Sequence, residues 1–183
     1  MRLSRVALAS LAVYEGIRAI ERSAVRRAVF AQAVNRAVAT GRQLVVVGDP
    51  VNGAWSRVTG PDYGCGDVCV DLTGCPTCPV ALKADVTKPL PLASDRYVTF
   101  VSCTLEYVPD PWAAWDEILR ISGDGANVFM VDVQPWTLAS VLYPGADSTI
   151  VRTSSNTIDV EPVTTITKLG VVAALTGLAW LAV

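Results

Sequence analysis

Residues 44–53 read LVVVGDPVNG. Four apolar residues run into Gly48, and the turn that follows is Asp49-Pro50-Val51-Asn52-Gly53. A buried parallel strand that ends at a glycine is how a chain brings its backbone beside a nucleotide. Asp71 closes a second apolar run, VCVDL, where an acid suits the hydroxyls of a ribose. The third chemical feature is sulfur. Cys65, Cys69, Cys75 and Cys78 fall within fourteen residues as C-x3-C-x5-C-x2-C, and Cys103 stands apart. Four thiolates suit a tetrahedral structural zinc, and C-P-T-C-P suits a zinc or redox half-site. A disulfide between Cys75 and Cys78, or from Cys65 to one of them, suits an oxidising compartment. Unbound thiols are the preferred reading, because Cys69 sits inside a predicted strand and paired zinc knuckles supply both halves from turns. Tyr63-Gly64-Cys65-Gly66-Asp67 is glycine-rich but precedes a strand, so it opens no helix and forms no phosphate loop.

The chain has no histidine. That removes the commonest general base and metal ligand, and with them any Ser-His or Cys-His nucleophile.

The elements that must hold these residues alternate. LVVV (44–47), VCVDL (68–72), YVTFVSC (97–103) and ANVFMVDV (126–133) read as strands. Between the last two, Asp110 as N-cap and Pro111 in the first turn start a helix, WAAWDEILRI. Trp112, Trp115, Ile118 and Leu119 share its apolar face, and Ser122-Gly123-Asp124-Gly125 ends it. Strands alternating with helices imply an α/β fold, a Rossmann-like doubly wound and mostly parallel sheet. Ligands of such sheets bind beyond the carboxyl ends of the strands, where Gly48, Asp71, Ser102 and Val133 fall. Residues 148–165 read as a β-hairpin turning at Ser-Ser-Asn.

Three regions follow within 183 residues: a basic helical arm (1–42), an α/β domain (43–165) and an apolar C-terminal helix (166–183). The arm holds eight arginines against Glu15 and Glu21, whereas the remainder holds seven basic and fifteen acidic residues. An arm packing on an acidic domain is the first reading of that asymmetry. Attraction to anionic lipid is the second, and nucleic acid is disfavoured. Apolar residues recur at Leu3, Val6, Val13, Ile17, Ile20 and Ala24, and onward to Val34 and Val38, which predicts one long helix, or two with a break. Its start faintly resembles a signal peptide without a cleavage site, and a retained helix is preferred. The stretch 169–183 carries no charge. As a helix it spans about 22 Å, short of the roughly 30 Å hydrocarbon core. Extension across a snorkelling Lys168 to about 20 residues makes it a membrane anchor, with a buried core helix as the alternative.

The order of these motifs resembles the class I S-adenosylmethionine-dependent methyltransferases, in particular their small type 11 domains, over residues 44 to 145. In that family a glycine-rich loop passes under the methionine of the cofactor, and LVVVGDPVNG stands there. The acid that binds the ribose corresponds to Asp71 in CVDLTG. An acid by the adenine corresponds to Asp85 in ADVTKPLPL. SCTLEYVPDP matches the segment after the fourth strand, and AWDEILRISGDG loosely matches E-x-x-R-x-L-x-P-G-G. The resemblance implies S-adenosylmethionine as cofactor, contacted by Gly48, Asp49, Gly53, Asp71, Leu72, Asp85, Val86 and Ser102. Glu106 and Tyr107 become candidates to face a small or lipid-like methyl acceptor, together with Gln134-Pro135-Trp136.

The departures are specific. Val46 replaces the usual acid before the first glycine, Pro50 replaces the second glycine, and Tyr107 replaces a histidine. They imply an alternative: an inactive methyltransferase-like subunit, structural or scaffolding, in a membrane-bound or larger assembly with partner chains. A plain nucleotide- or dinucleotide-binding domain is a third reading, without the G-x-G-x-x-G that would open its helix. The expected location is a membrane surface, with the α/β domain in a reducing compartment such as the cytoplasm.

Overall fold

The computed structural model describes residues 2–51, 56–131 and 148–162. The first element is one unbroken helix, α1 (Arg2–Thr40). No proline interrupts it, and it stops where Gly41 takes a φ of +64°. The Gly41 amide bonds to the Val38 carbonyl and the Arg42 amide to that of Ala37, which closes the last turn.

Five strands form the sheet: β1 (Gln43–Val47), β2 (Val68–Asp71), β3 (Ala81–Lys83), β4 (Tyr97–Ser102) and β5 (Val128–Val131). Every pairing is parallel, and the order is β3-β2-β1-β4-β5. The α/β reading therefore stands, as a mostly parallel Rossmann-like sheet. β1 is apolar throughout because it lies at the centre with both faces covered. Leu44 and Val46 point to one face, with Ala33 and Ala37 of α1, Cys69, Cys75 and Phe100. Val45 and Val47 point to the other, with Ala114, Trp115, Ile118 and Ile121. These four belong to α3 (Pro111–Ser122), which Asp110 caps by accepting from the Ala113 amide. Trp112, expected on the buried face, is 49% exposed, whereas Trp115 and Ile118 are buried as expected.

The crossovers are lean. The β1–β2 connection holds a single described turn of helix, α2 (Ser56–Thr59). The β2–β3 connection, residues 72–80, holds none. Two disulfides stand in its place, Cys65–Cys78 and Cys69–Cys75. The four clustered thiols, unbound in the preferred reading of the sequence, are thus paired: of the disulfides that reading allows, Cys65–Cys78 forms and Cys75–Cys78 does not, while Cys69–Cys75 is new. Parallel strands ordinarily need a crossover of a dozen or more residues. This shorter one doubles back over β2, and the sulfur bonds fasten it at Cys69 and at Cys65. On the opposite face a hairpin, β6 (Ser148–Arg152) and β7 (Ile158–Pro162), buries Ile150 and Ile158 in the core with α3.

The basic arm does not stand apart from the domain. Its second half covers one face of the sheet, and ion pairs tie it to acids of the body: Arg26 and Arg27 to Asp62, and Arg42 to Asp95. The C-terminal helix expected over 166–183 lies outside the described residues. Among the described residues, no helix is long and apolar enough to cross a membrane.

Candidate functional site

The carboxyl ends of β1 and β4 are where the strand order reverses, and a ligand of this topology sits beyond them. Gly48 makes the turn after β1 at a φ of +100°. A methyl group in place of its hydrogen would lie 2.7 Å from the Thr104 hydroxyl oxygen. That hydroxyl lies 3.2 Å from the Val47 carbonyl and 3.1 Å from that of Ser102, so Thr104 bridges the two strand ends.

The backbone donors of the turn are engaged. The Gly48 amide donates to the Val70 carbonyl at 2.9 Å. The Asp49 amide donates to Asp71 Oδ2 at 3.1 Å, and the Val51 amide to Asp49 Oδ1 at 3.0 Å. Pro50, between them, has no N–H to offer. From residue 48 to residue 51, every amide hydrogen is already bonded within the protein.

Asp71 points where the sequence places it, toward the β1 turn, and its other oxygen is also engaged. Oδ1 accepts from the Thr73 amide at 2.8 Å and the Thr73 hydroxyl at 2.7 Å. Asp85 repeats the arrangement with Thr87, at 2.9 and 2.7 Å. Those bonds, the hydroxyl's first, hold the Asp85 carboxyl below its ordinary range. A shared D-x-T pattern, Asp71-Leu72-Thr73 and Asp85-Val86-Thr87, was thus present in the sequence and signals two short side-chain-capped turns. Leu72 is 67% exposed beside Asp71, whereas Val86 is buried in the core. Ser102 is buried at the end of β4, and Glu106 in the turn after it. Tyr107 reaches the surface. Gly53, Asn52, Val133 and Gln134-Pro135-Trp136 lie outside the described residues.

Sequence reasoning missed the contribution of α1. Arg26 donates from Nη2 to Cys103 Sγ at 3.1 Å, so the arm reaches the end of β4. Cys103 holds a φ of +50°, uncommon for a residue with a side chain. Burial pushes its thiol up, against the opposing pull of Arg26. Burial likewise pushes the neighbouring Tyr63 phenol up to about 12. Neither group is poised to ionise near neutrality. Cys69, Cys75 and Cys78 pack on the α1 side of the sheet, and Cys69 Sγ lies 3.8 Å from the Gly48 carbonyl oxygen.

The chain matches no family model, no curated protein and no solved structure.

Proposed function

We propose that this chain is a class I methyltransferase-like domain whose cofactor turn has closed on itself, and that it serves as a non-catalytic scaffolding subunit at a membrane or in a larger assembly. The observation that carries the reading is the engagement of every amide from Gly48 to Val51, with Pro50 supplying none. An amide already bonded inside the protein gains little by exchanging its partner for a ligand. The Thr104 side chain over Gly48 works in the same direction.

The scaffolding part of the proposal rests on exposed surface. Val13, Ile17 and Ile20 follow one another at i, i+4 and i+7 on α1, and are 62%, 51% and 72% exposed. Basic residues flank them, and the uncharged C-terminal stretch of the sequence adds a second apolar segment. Together they fit a partner chain or a lipid surface.

Calorimetric titration of the full chain with S-adenosylmethionine and S-adenosylhomocysteine tests this. The expected result is no saturable heat, and a dissociation constant below about 0.1 mM for either compound overturns it.

A second reading is an active methyltransferase, and the exposure of Leu72 beside Asp71 favours it. An adenosine lying there would find an apolar neighbour and one open lone pair on Asp71 Oδ2. The sulfonium would bring its own activated methyl group, so the protein would need chiefly to align an acceptor, with Glu106 and Tyr107 as the nearest candidates. The same titration separates the two readings.

A further inference from the structure

Around β2 and the connection that follows it, Cys65, Cys69, Cys75 and Cys78 gather four sulfurs in a chain that has no histidine. We propose that with its thiols reduced this cluster is a structural zinc site, and that the two disulfides are its oxidised, metal-free form.

The geometry is close to what the ion requires. Sγ of Cys69, Cys75 and Cys78 all lie within 4.8 Å of one another. Cys65 Sγ is bonded to that of Cys78 at 2.07 Å. A tetrahedral site with zinc–sulfur bonds of about 2.3 Å separates its sulfurs by about 3.8 Å. No pair among Cys69, Cys75 and Cys78 is therefore much wider apart than the ion requires, whereas Cys65 lies outside that set of three and has to move in toward it once its bond to Cys78 opens.

The backbone would keep the sulfurs together after reduction. Cys69 is fixed by the ladder, facing Val46 on β1 and Ala81 on β3. Cys65 lies two residues from Asp67, whose amide donates to the Leu44 carbonyl and whose carboxylate accepts from the Leu44 amide. Cys75 and Cys78 share a turn closed by the Cys78 amide on the Cys75 carbonyl at 3.0 Å. None of these restraints depends on a disulfide.

The chemistry selects the ion. Cys69 and Cys75 are almost fully buried. Buried thiols resist ionisation unless a cation takes the charge. An all-thiolate set excludes magnesium and calcium and suits zinc. The exchange balances with a small-molecule disulfide as oxidant. One zinc tetrathiolate, two oxidant disulfides and four protons give two protein disulfides, one Zn²⁺ and four small thiols. The protein sulfurs give up four electrons, and the oxidant takes them.

The test uses the full chain purified with reductant and zinc, its folding verified by circular dichroism. Elemental analysis should find about one zinc per chain. Cys103→Ser should leave that value unchanged, and Cys75→Ser should lower it at least fivefold. Added glutathione disulfide should release the zinc in step with the loss of four thiols. Should Cys75→Ser not fold, wild-type protein stripped with a chelator and refilled with zinc should show a rise in Tm under reducing conditions only. Folded, fully reduced protein with less than a tenth of an equivalent of zinc overturns the proposal. So does zinc retained after the four thiols are oxidised, or iron found in its place.

Discussion

Replacing Glu117 with alanine should break a hydrogen-bonded clamp on α3. Its carboxylate accepts three hydrogen bonds. Oε1 takes the Leu90 amide at 2.7 Å and Arg120 Nη2 at 2.6 Å, and Oε2 takes Arg120 Nε at 2.7 Å. Arg120 in turn donates to the carbonyls of Leu90 and Leu92 and to the Ser94 hydroxyl. The pair thus clamps the segment after Asp85 onto the helix. The Glu117 side chain is 9% exposed and that of Arg120 35%. Losing the acceptor leaves the buried Leu90 amide unpaired, for about 2 kcal/mol, while a partly solvated Arg120 regains water and adds about 1 kcal/mol. A loss of about 3 kcal/mol in a chain of this size lowers Tm by roughly 6–12 °C. Glu117→Gln keeps an acceptor for Leu90 and should lose about half as much.

The pH dependence has a definite sign. Burial acts to raise the Glu117 carboxyl, but the Arg120 hydrogen bonds and the Leu90 amide outweigh it and hold the group below its ordinary range. A depressed carboxyl contributes its stability fully above the unfolded value, and that contribution fades as pH falls through the folded one. Wild type and Glu117→Ala should therefore draw together in Tm as pH falls below the unfolded carboxylate value of about 4.3. Thermal denaturation on both sides of that value is the assay. A Tm change below about 2 °C at neutral pH, or a gap that does not narrow in acid, refutes the clamp.

Gly48→Ala should cost about 2–3 kcal/mol in chemical denaturation, from the positive φ and the contact with Thr104. In a Gly48→Ala/Thr104→Ala double variant the two costs should be less than additive, and strict additivity would show that the hydroxyl does not crowd the turn. Cys103 should resist iodoacetamide in the native protein at about pH 8 and react on unfolding, since burial raises its thiol. Fast labelling of the native state, followed by mass spectrometry, would contradict that placement.

The central sheet was legible because its strands obey simple patterns. LVVV is a continuous apolar run and YVTFVS is rich in β-branched and aromatic residues, as central parallel strands covered on both faces must be. The hairpin near Ser-Ser-Asn and the Asp110-Pro111 start of α3 were legible from local turn and cap chemistry. β3 was not, since Ala81-Leu82-Lys83 is only three residues and carries no alternation. The disulfide partners were hidden because pairing depends on how the 72–80 segment doubles back, which sequence spacing does not encode. The orientation of Asp71 could be read from its place after β2. The bond from the Asp49 amide could not, because that amide belongs to the turn after β1, 22 residues away, whereas the Thr73 bonds are local. Arg26 was also out of view, because its partner Cys103 is 77 residues away in the chain.

The order in which α1 finds its partners has a consequence for biogenesis. It leaves the ribosome before the sheet does, yet the surface it must lie on includes β4 and β5, and its Arg36 bonds to Asn127, 91 residues later. At synthesis rates of about 5–20 residues per second the helix waits roughly 5–20 s for that surface. For that interval the stripe through Ala33 and Ala37 is as bare as the one through Val13 and Ile17. A nascent chain in that condition is a client for whichever apolar surface is nearest, and the sheet must win the helix back before the domain can close.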